Sequence, residues 1–273
     1  MITRSIRIDR KSYQISSDDD YLAQMSPVFE PKMVDLFCAL ITPEMTVADI
    51  GANIGLTSIL FSDLAKKVYA FEPSPSTFEI LKTNLHAASA DNVEAFNIGM
   101  GQSREDMTLT FSNQNRSGGF VSQHIKPEKG HTTEIIKIDT LDGFFAYRDY
   151  QPNRPDFIKM DVEGFEPHVI RGGQNLFAAS KATTVLELNH FCLNVLQRIT
   201  LPDFFDLLRR VFPLVFAISA DNKNIANLHN SDQAYSVMHG HVTQFAYPNI
   251  VAGFDPAVAD KLARFNEKAR ATQ

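Results

Sequence analysis

Three short stretches gather the residues able to do chemistry. Asp49-Ile50-Gly51-Ala52-Asn53-Ile54-Gly55 sets a carboxylate directly ahead of a glycine-rich turn. Phe71-Glu72-Pro73 places a second acid downstream. Asp161 and Glu163 lie in Ile158-Lys159-Met160-Asp161-Val162-Glu163-Gly164-Phe165-Glu166, and Glu187, Asn189 and His190 follow in a further group. Glycines let a backbone turn tightly and approach a ligand closely. A helix beginning there aims its positive end at that ligand. An acidic residue roughly 20 positions after such a turn is the acceptor expected for two ribose hydroxyls, and it repels a 2′-phosphate. The pattern therefore points to an adenosine-containing ligand.

Dinucleotide binders want a second glycine where the pyrophosphate approaches, and here that place is Asn53. Asp49 is a poor neighbour for pyrophosphate and a good one for an ammonium group. S-adenosylmethionine carries such a group on its methionine moiety. An Asp at this place also bonds local backbone readily, so both roles stay open for Asp49. A nicotinamide-dependent oxidoreductase is disfavoured by Asn53.

These residues need strand ends to hold them. Short apolar runs at Thr46–Ile50, Lys67–Phe71, Asn92–Asn97, Asp156–Met160, Thr184–Leu188, Leu214–Ser219 and Asn249–Phe254 read as strands. Helical patterns occupy Pro31–Leu40, Ile54–Ala65, Ser74 to Ala88, Glu166–Phe177, Leu201–Phe212 and Pro256–Ala269. Ser74 is a helix cap with Pro75 in the first turn. Such alternation implies a doubly wound α/β fold, a mostly parallel seven-stranded sheet with helices on both faces. Ligands then bind beyond the carboxyl ends of the strands. Residues 1–45 read as an N-terminal helical cap region, 46–255 as the α/β domain and 256–273 as a C-terminal helix. Met107–Phe111 and Glu134–Ile138 flank a lid insertion, 108–138, whose Asn, Ser, Gly, Pro and Lys suit a long functional loop.

Taken in order, the glycine turn, Phe71-Glu72-Pro73 and the Asp161-Val162-Glu163-Gly164-Phe165-Glu166 stretch resemble the FkbM-type methyltransferases. The similarity runs from about Phe29 to Leu188 and loosens beyond it. Thr140-Leu141-Asp142, Gly172-Gly173 and Ser117-Gly118-Gly119 look like further family features. The resemblance implies a class I, Rossmann-like, S-adenosylmethionine-dependent O-methyltransferase acting on a hydroxyl of a small molecule or glycan. It implies a cofactor site lined by Gly51, Asn53, Gly55 and Glu72, with Gly99 and Met100 flanking the adenine; Asp49, Ala52, Pro73 and Asp161 are the further cofactor-binding candidates. The alternative is a non-catalytic protein of the same fold that binds a partner or senses the cofactor.

Methyl transfer to an alcohol requires alignment and loss of a proton to a base or to metal-bound oxygen. Asp161, His190 and Glu187 are the candidate catalytic residues. Asp161 or His190 acts as a direct base, with no metal. Alternatively Asp161, Glu187 and Asn189 hold Mg²⁺ against the substrate oxygen. Glu163 and Glu166 also fit simple decoration of a helix N-terminus. His239 and His241 fit alternating positions on an exposed strand.

Formal net charge is −6 over 273 residues, and no Lys/Arg cluster stands out. A polymeric nucleic acid is therefore an unexpected partner, and a small-molecule or carbohydrate acceptor is expected. Cys38 and Cys192 sit in apolar runs without CxxC spacing and read as buried structural thiols. The N-terminus lacks the apolar stretch of a signal peptide, and no run reaches the length of a membrane span. A soluble, cytoplasmic protein is expected.

Overall fold

The computed structural model describes residues 1–147 and 154–271. The chain opens with strands β1 (Ile2–Ile8) and β2 (Lys11–Ser17), then α1 (Tyr21–Gln24) and α2 (Pro31–Leu40). A βα alternation follows: β3 (Thr46–Ile50), α3 (Leu56–Leu64), β4 (Lys67–Phe71), α4 (Pro75–Ala87) and β5 (Val93–Phe96). Four strands come next: β6 (Gly99–Met100), β7 (Glu105–Ser112), β8 (Phe120–Val121) and β9 (His131–Asp139). The second half holds α5 (Leu141–Tyr147), β10 (Phe157–Met160), α6 (Glu166–Arg171), α7 (Gln174–Ser180) and β11 (Thr183–Glu187). It closes with α8 (Leu201–Val211), β12 (Leu214–Ile218), β13 (Ile225–Asn227), α9 (Ser231–Gln244), β14 (Asn249–Gly253) and α10 (Ala257–Ala271).

The main sheet has the order β13-β12-β14-β11-β10-β3-β4-β5. From β11 to β5 the neighbours are parallel, and β14 runs antiparallel between β11 and β12. All seven expected strands are present. The eighth, β13, is a three-residue edge strand too short to show a period in sequence. Strands β3, β10 and β14 are buried at every position, because helices cover both faces of this mostly parallel sheet, including its antiparallel strand β14. Alternate residues of β3 feed opposite cores, Val47 on one face and Ala48 and Ile50 on the other. On one face Phe37, Phe61 and Phe157 meet edge to face, with ring centroids 4.9–6.0 Å apart. The chain order reverses about β3, so its carboxyl end is the switch point where a ligand cleft opens.

Several expectations are corrected. Residues 1–45 are not wholly a helical cap: an antiparallel β1–β2 hairpin precedes α2. Ile6, Ile8 and Ile15 of the hairpin are buried at alternate positions on the pleat. The helix expected over Glu166–Phe177 breaks at Gly172-Gly173, where a Cβ on Gly172 would lie 1.9 Å from the Gly101 carbonyl oxygen. Cys38 is exposed, on the outer side of the α2 stripe of Val34, Phe37 and Leu40. The last two residues of the expected C-terminal helix, 272–273, lie outside the described residues. No helix among the described residues is long and apolar enough to cross a membrane.

The segment between β7 and β9 is only partly loop. Those strands pair from Glu105↔Ile138 to Ser112↔His131, forming a second sheet with β6 and β8. The tip of the insertion is tied to the N-terminal segment. The Asp20 N–H donates to the Gln114 carbonyl (2.9 Å) and the Arg116 N–H to Asp19 Oδ2 (2.8 Å). Arg116 Nη2 meets Asp18 Oδ2 at 2.9 Å.

Candidate active site

The turn after β3 is built by backbone sterics. Gly51 has φ +79°, and a Cβ there would lie 1.9 Å from the Asp161 carbonyl oxygen. Only glycine lets the β3 and β10 termini approach so closely. Asn53 also adopts positive φ, 49°, a conformation Asn tolerates better than most residues. Its N–H donates to Glu72 Oε2, and the Ser74 N–H donates to Glu72 Oε1, both at 2.9 Å. Glu72 is thereby fixed at the end of β4. Burial pushes its carboxyl up to about 7, against those two N–H donors. Ser74 caps α4 through Thr77 N–H at 3.1 Å, as expected.

Two cavities meet at this turn and share Gly51, Asn53 and Asp161. The larger encloses about 720 Å³ including its open side. Phe71, Pro73, Met100, Ile138 and Phe165 give it apolar walls, and Glu72, Asp161 and Glu163 are its acids. The smaller, about 360 Å³, takes Ala52, Gly55 and Thr57 from the turn and the start of α3. Tyr21, Glu30 and Lys159 complete it. A helix N-terminus facing carboxylates suits a zwitterion: the N–H groups take an anion and the acids take an ammonium.

Asp49 lies outside both cavities. It is fully buried behind the turn, accepts from Ser58 Oγ at 2.6 Å and sits 3.2 Å from Lys159 Nζ. Burial raises Asp49 despite these partners. Burial works to lower Lys159, but Asp49 and Asp161 outweigh it and hold the ammonium above its ordinary value. Lys159 also donates to the Gly51 carbonyl at 2.8 Å and lies 3.7 Å from Asp161 Oδ2. It is the pin between the first and fourth parallel strands. A lysine inside the apolar Phe157–Met160 run was a signal available in sequence, because a buried Lys is rare unless paired.

Beyond Asp161 lies an acidic wall. Burial, then Asp161, pushes Glu163 up to about 7, and burial pushes Glu166 up to about 8. Glu187 is raised by burial and then by Asp161, Glu163 and Glu166. Glu166 does not decorate a helix surface. It is 1% exposed, accepts the Val162 N–H at 3.0 Å and has a second oxygen with no hydrogen-bond partner among the described residues. Asn189 is spent locally, its Oδ1 accepting the Cys192 N–H at 3.2 Å. Among the described residues no three His, Cys, Asp or Glu side chains converge as metal ligands. Nothing in the arrangement of the described residues supports Mg²⁺ on Asp161, Glu187 and Asn189, and Asn189 already holds the Cys192 N–H.

His190 and Glu187 line neither cavity. The His190 ring stands edge-on to His241 at 5.0 Å and 5.3 Å from Phe245. His241 is not on an exposed strand. It is fully buried on α9, and burial and then His190 push it down to about 4. The Asn230 cap and the inward stripe Ala234, Val237, His241 explain the helix. Tyr21 and Glu30 were not legible as site residues, because nothing local marks an acid before Pro31 as facing a distant turn. Glu30 has φ 25°, a strained conformation for a side-chain-bearing residue.

The family model described as the methyltransferase FkbM domain matches residues 49–212. A hexuronic acid methyltransferase, AglP, from Haloferax volcanii is 31% identical over 127 residues, covering 46% of this chain and 49% of that protein. Methyltransferase 1 from Beauveria bassiana is 27% identical over 145 residues, covering 46% and 57%. The chain spans about half the length of these curated relatives. A solved structure of a methyltransferase FkbM from Methylobacillus flagellatus KT aligns with a TM-score of 0.47 and 14% identity, covering 77% of this chain and 43% of that one.

Proposed function

The chain belongs to the FkbM methyltransferase family, and from that premise we propose that it transfers a methyl group from S-adenosylmethionine to a hydroxyl of a small molecule or carbohydrate. The observation that carries this reading is the pair of cavities joined at Gly51, Asn53 and Asp161. One suits an adenosine, with Glu72 as acceptor for the ribose hydroxyls and Pro73, Met100 and Phe165 as apolar walls. The other suits an amino acid, with the start of α3 for its carboxylate and Glu30 and Asp161 for its ammonium. Asp49 then acts from behind, holding Lys159 and the turn.

Bound S-adenosylmethionine supplies an electrophilic methyl on a sulfonium, with a neutral thioether as leaving group. Asp161 is half-exposed, at 46% for its side chain, and lies at the junction of the cavities. It is the best-placed group to accept the proton of an attacking hydroxyl. The AglP similarity supports a sugar acceptor. The test is incubation with isotope-labelled S-adenosylmethionine and a sugar panel, with products weighed by mass spectrometry. Labelled methyl on a sugar oxygen is expected. Binding of NAD without binding of S-adenosylmethionine or its demethylated product would overturn the reading.

A further inference from the structure

A third cavity, about 760 Å³ including its open side, runs between the N-terminal segment and the lid. It adjoins both donor cavities. Tyr21 and Glu30 form a wall common to it and the amino-acid cavity. On the lid side Asn115 lines the groove, and the next two residues, Arg116 and Ser117, line the adenosine cavity. A molecule lying in the groove therefore borders the amino-acid cavity, whose lining includes Asp161. Tyr21, Glu30 and the rest of the groove's N-terminal wall fall outside residues 49–212, so the family match does not reach them.

The lining has a definite chemistry. Gln24, Ser26, Asn115 and Tyr21 offer amides and hydroxyls, and Met25 and Val28 offer apolar faces. Asn115 Nδ2 is 3.4 Å from Gln24 Oε1, a long contact across the groove. Alternating hydrogen-bonding groups and apolar patches match a sugar ring, which presents hydroxyls at its edge and C–H groups on its faces. The single charged residue in the lining is Glu30, and the carboxylate of Asp161 lies behind it. Three nearby cations are engaged elsewhere: Lys159 with Asp49, Asp161 and the Gly51 carbonyl, Arg116 with Asp18 and Ser76, and Arg4 with the Leu22 and Met25 carbonyls. A ligand carboxylate would meet like charge, which costs several kcal/mol when it is desolvated.

We propose that this groove docks the methyl acceptor and that it selects a neutral, polyhydroxylated sugar over the corresponding hexuronic acid. The inference rests on the sugar reading above and sharpens it, since the AglP similarity alone points towards a hexuronic acid.

The test uses the full chain, with and without S-adenosylhomocysteine. Methyl glucoside, galactoside and mannoside are titrated against their uronic acid counterparts, which differ only in bearing a carboxylate at C6. Wild type should bind a neutral glycoside at least about tenfold tighter than its uronate, the factor set by ~1.4 kcal/mol. Gln24→Ala should weaken the neutral sugar while leaving S-adenosylhomocysteine affinity unchanged. Glu30→Gln should narrow the gap between the members of a pair. Equal or tighter binding of the uronates overturns the selectivity. Sugar affinity unchanged in Gln24→Ala, or no sugar bound in either state, overturns the groove. A neutral glycoside that binds in the groove but is not methylated when S-adenosylmethionine replaces the product overturns the groove as the acceptor site. Methylation of a sugar that does not depend on Gln24 overturns the groove and leaves the methyltransferase reading standing.

Discussion

Lys159 and Asp49 occupy facing positions in the parallel β10–β3 register, and their charges meet 3.2 Å apart with both side chains buried. This ion pair joins the strand carrying the glycine turn to the strand carrying Asp161. Removing one partner leaves an uncompensated buried charge. Lys159→Met should therefore destabilise the protein by about 3–5 kcal/mol, read as a lowered urea midpoint at unchanged slope. A loss below ~1 kcal/mol would mean that the pair carries little more than a surface bridge.

Glu72 is expected to bind rather than to react. Glu72→Ala should weaken S-adenosylmethionine and S-adenosylhomocysteine alike by about 1.5–3 kcal/mol, the loss of a charge-assisted bond. Calorimetry on both ligands checks it. An effect on turnover alone would contradict the assignment.

Glu166 should make stability fall with rising pH. Its folded value, about 8, exceeds its ordinary value of 4.5 because burial disfavours the anion. The folded state therefore holds the proton more tightly than the unfolded state. That contribution is complete below about 4.5 and is lost as pH rises through about 8. Glu166→Gln has no proton to lose, so its stability relative to wild type should improve from pH 5 to pH 8. Denaturation at intervals across that window measures the trend, and a parallel pair of curves would exclude it.

Asp161 and His190 should separate kinetically. Asp161→Asn should lower turnover at saturating S-adenosylmethionine on the order of 10²–10⁴, beyond the loss of affinity that follows from its contact with the ammonium. His190 packs against His241 and Phe245 away from the cavities, so His190→Ala should act mainly on stability. Steady-state kinetics on both variants decides. Full transfer by Asp161→Asn would leave proximity alone as the mechanism.

Arg116 ties the lid to Asp18 and Asp19 of the N-terminal segment and to Ser76 on α4. Exchange of amides in residues 113–130 should be fast in the free protein and slow once donor product and sugar fill the cleft. Arg116→Ala should raise exchange in both states. Equal rapid exchange with and without ligands would mean a plain surface loop.

The local pattern was enough for the α/β alternation, the seven main strands, the Ser74 cap, the glycine turn and the placement of Glu72 and Asp161 at strand ends. Each depends on spacing within one element or on the rule that parallel strands end on a common edge. The N-terminal hairpin had a readable two-residue period, Ile6 and Ile8 on one strand and Tyr13, Ile15 and Ser17 on the next, although the stretch reads more easily as a cap. Long-range packing decided the rest. Asp49 looked like a ligand contact, but Lys159 on the neighbouring strand and Ser58 on α3 draw it behind the turn. Glu166 looked like a surface acid, yet the tight turn beside Asp161 buries it. Glu30 and Tyr21 reach the site only because the hairpin and α2 fold back across the β3 terminus. Those placements depend on contacts between residues far apart in the chain, and no local period of 2 or 3.6 residues encodes them.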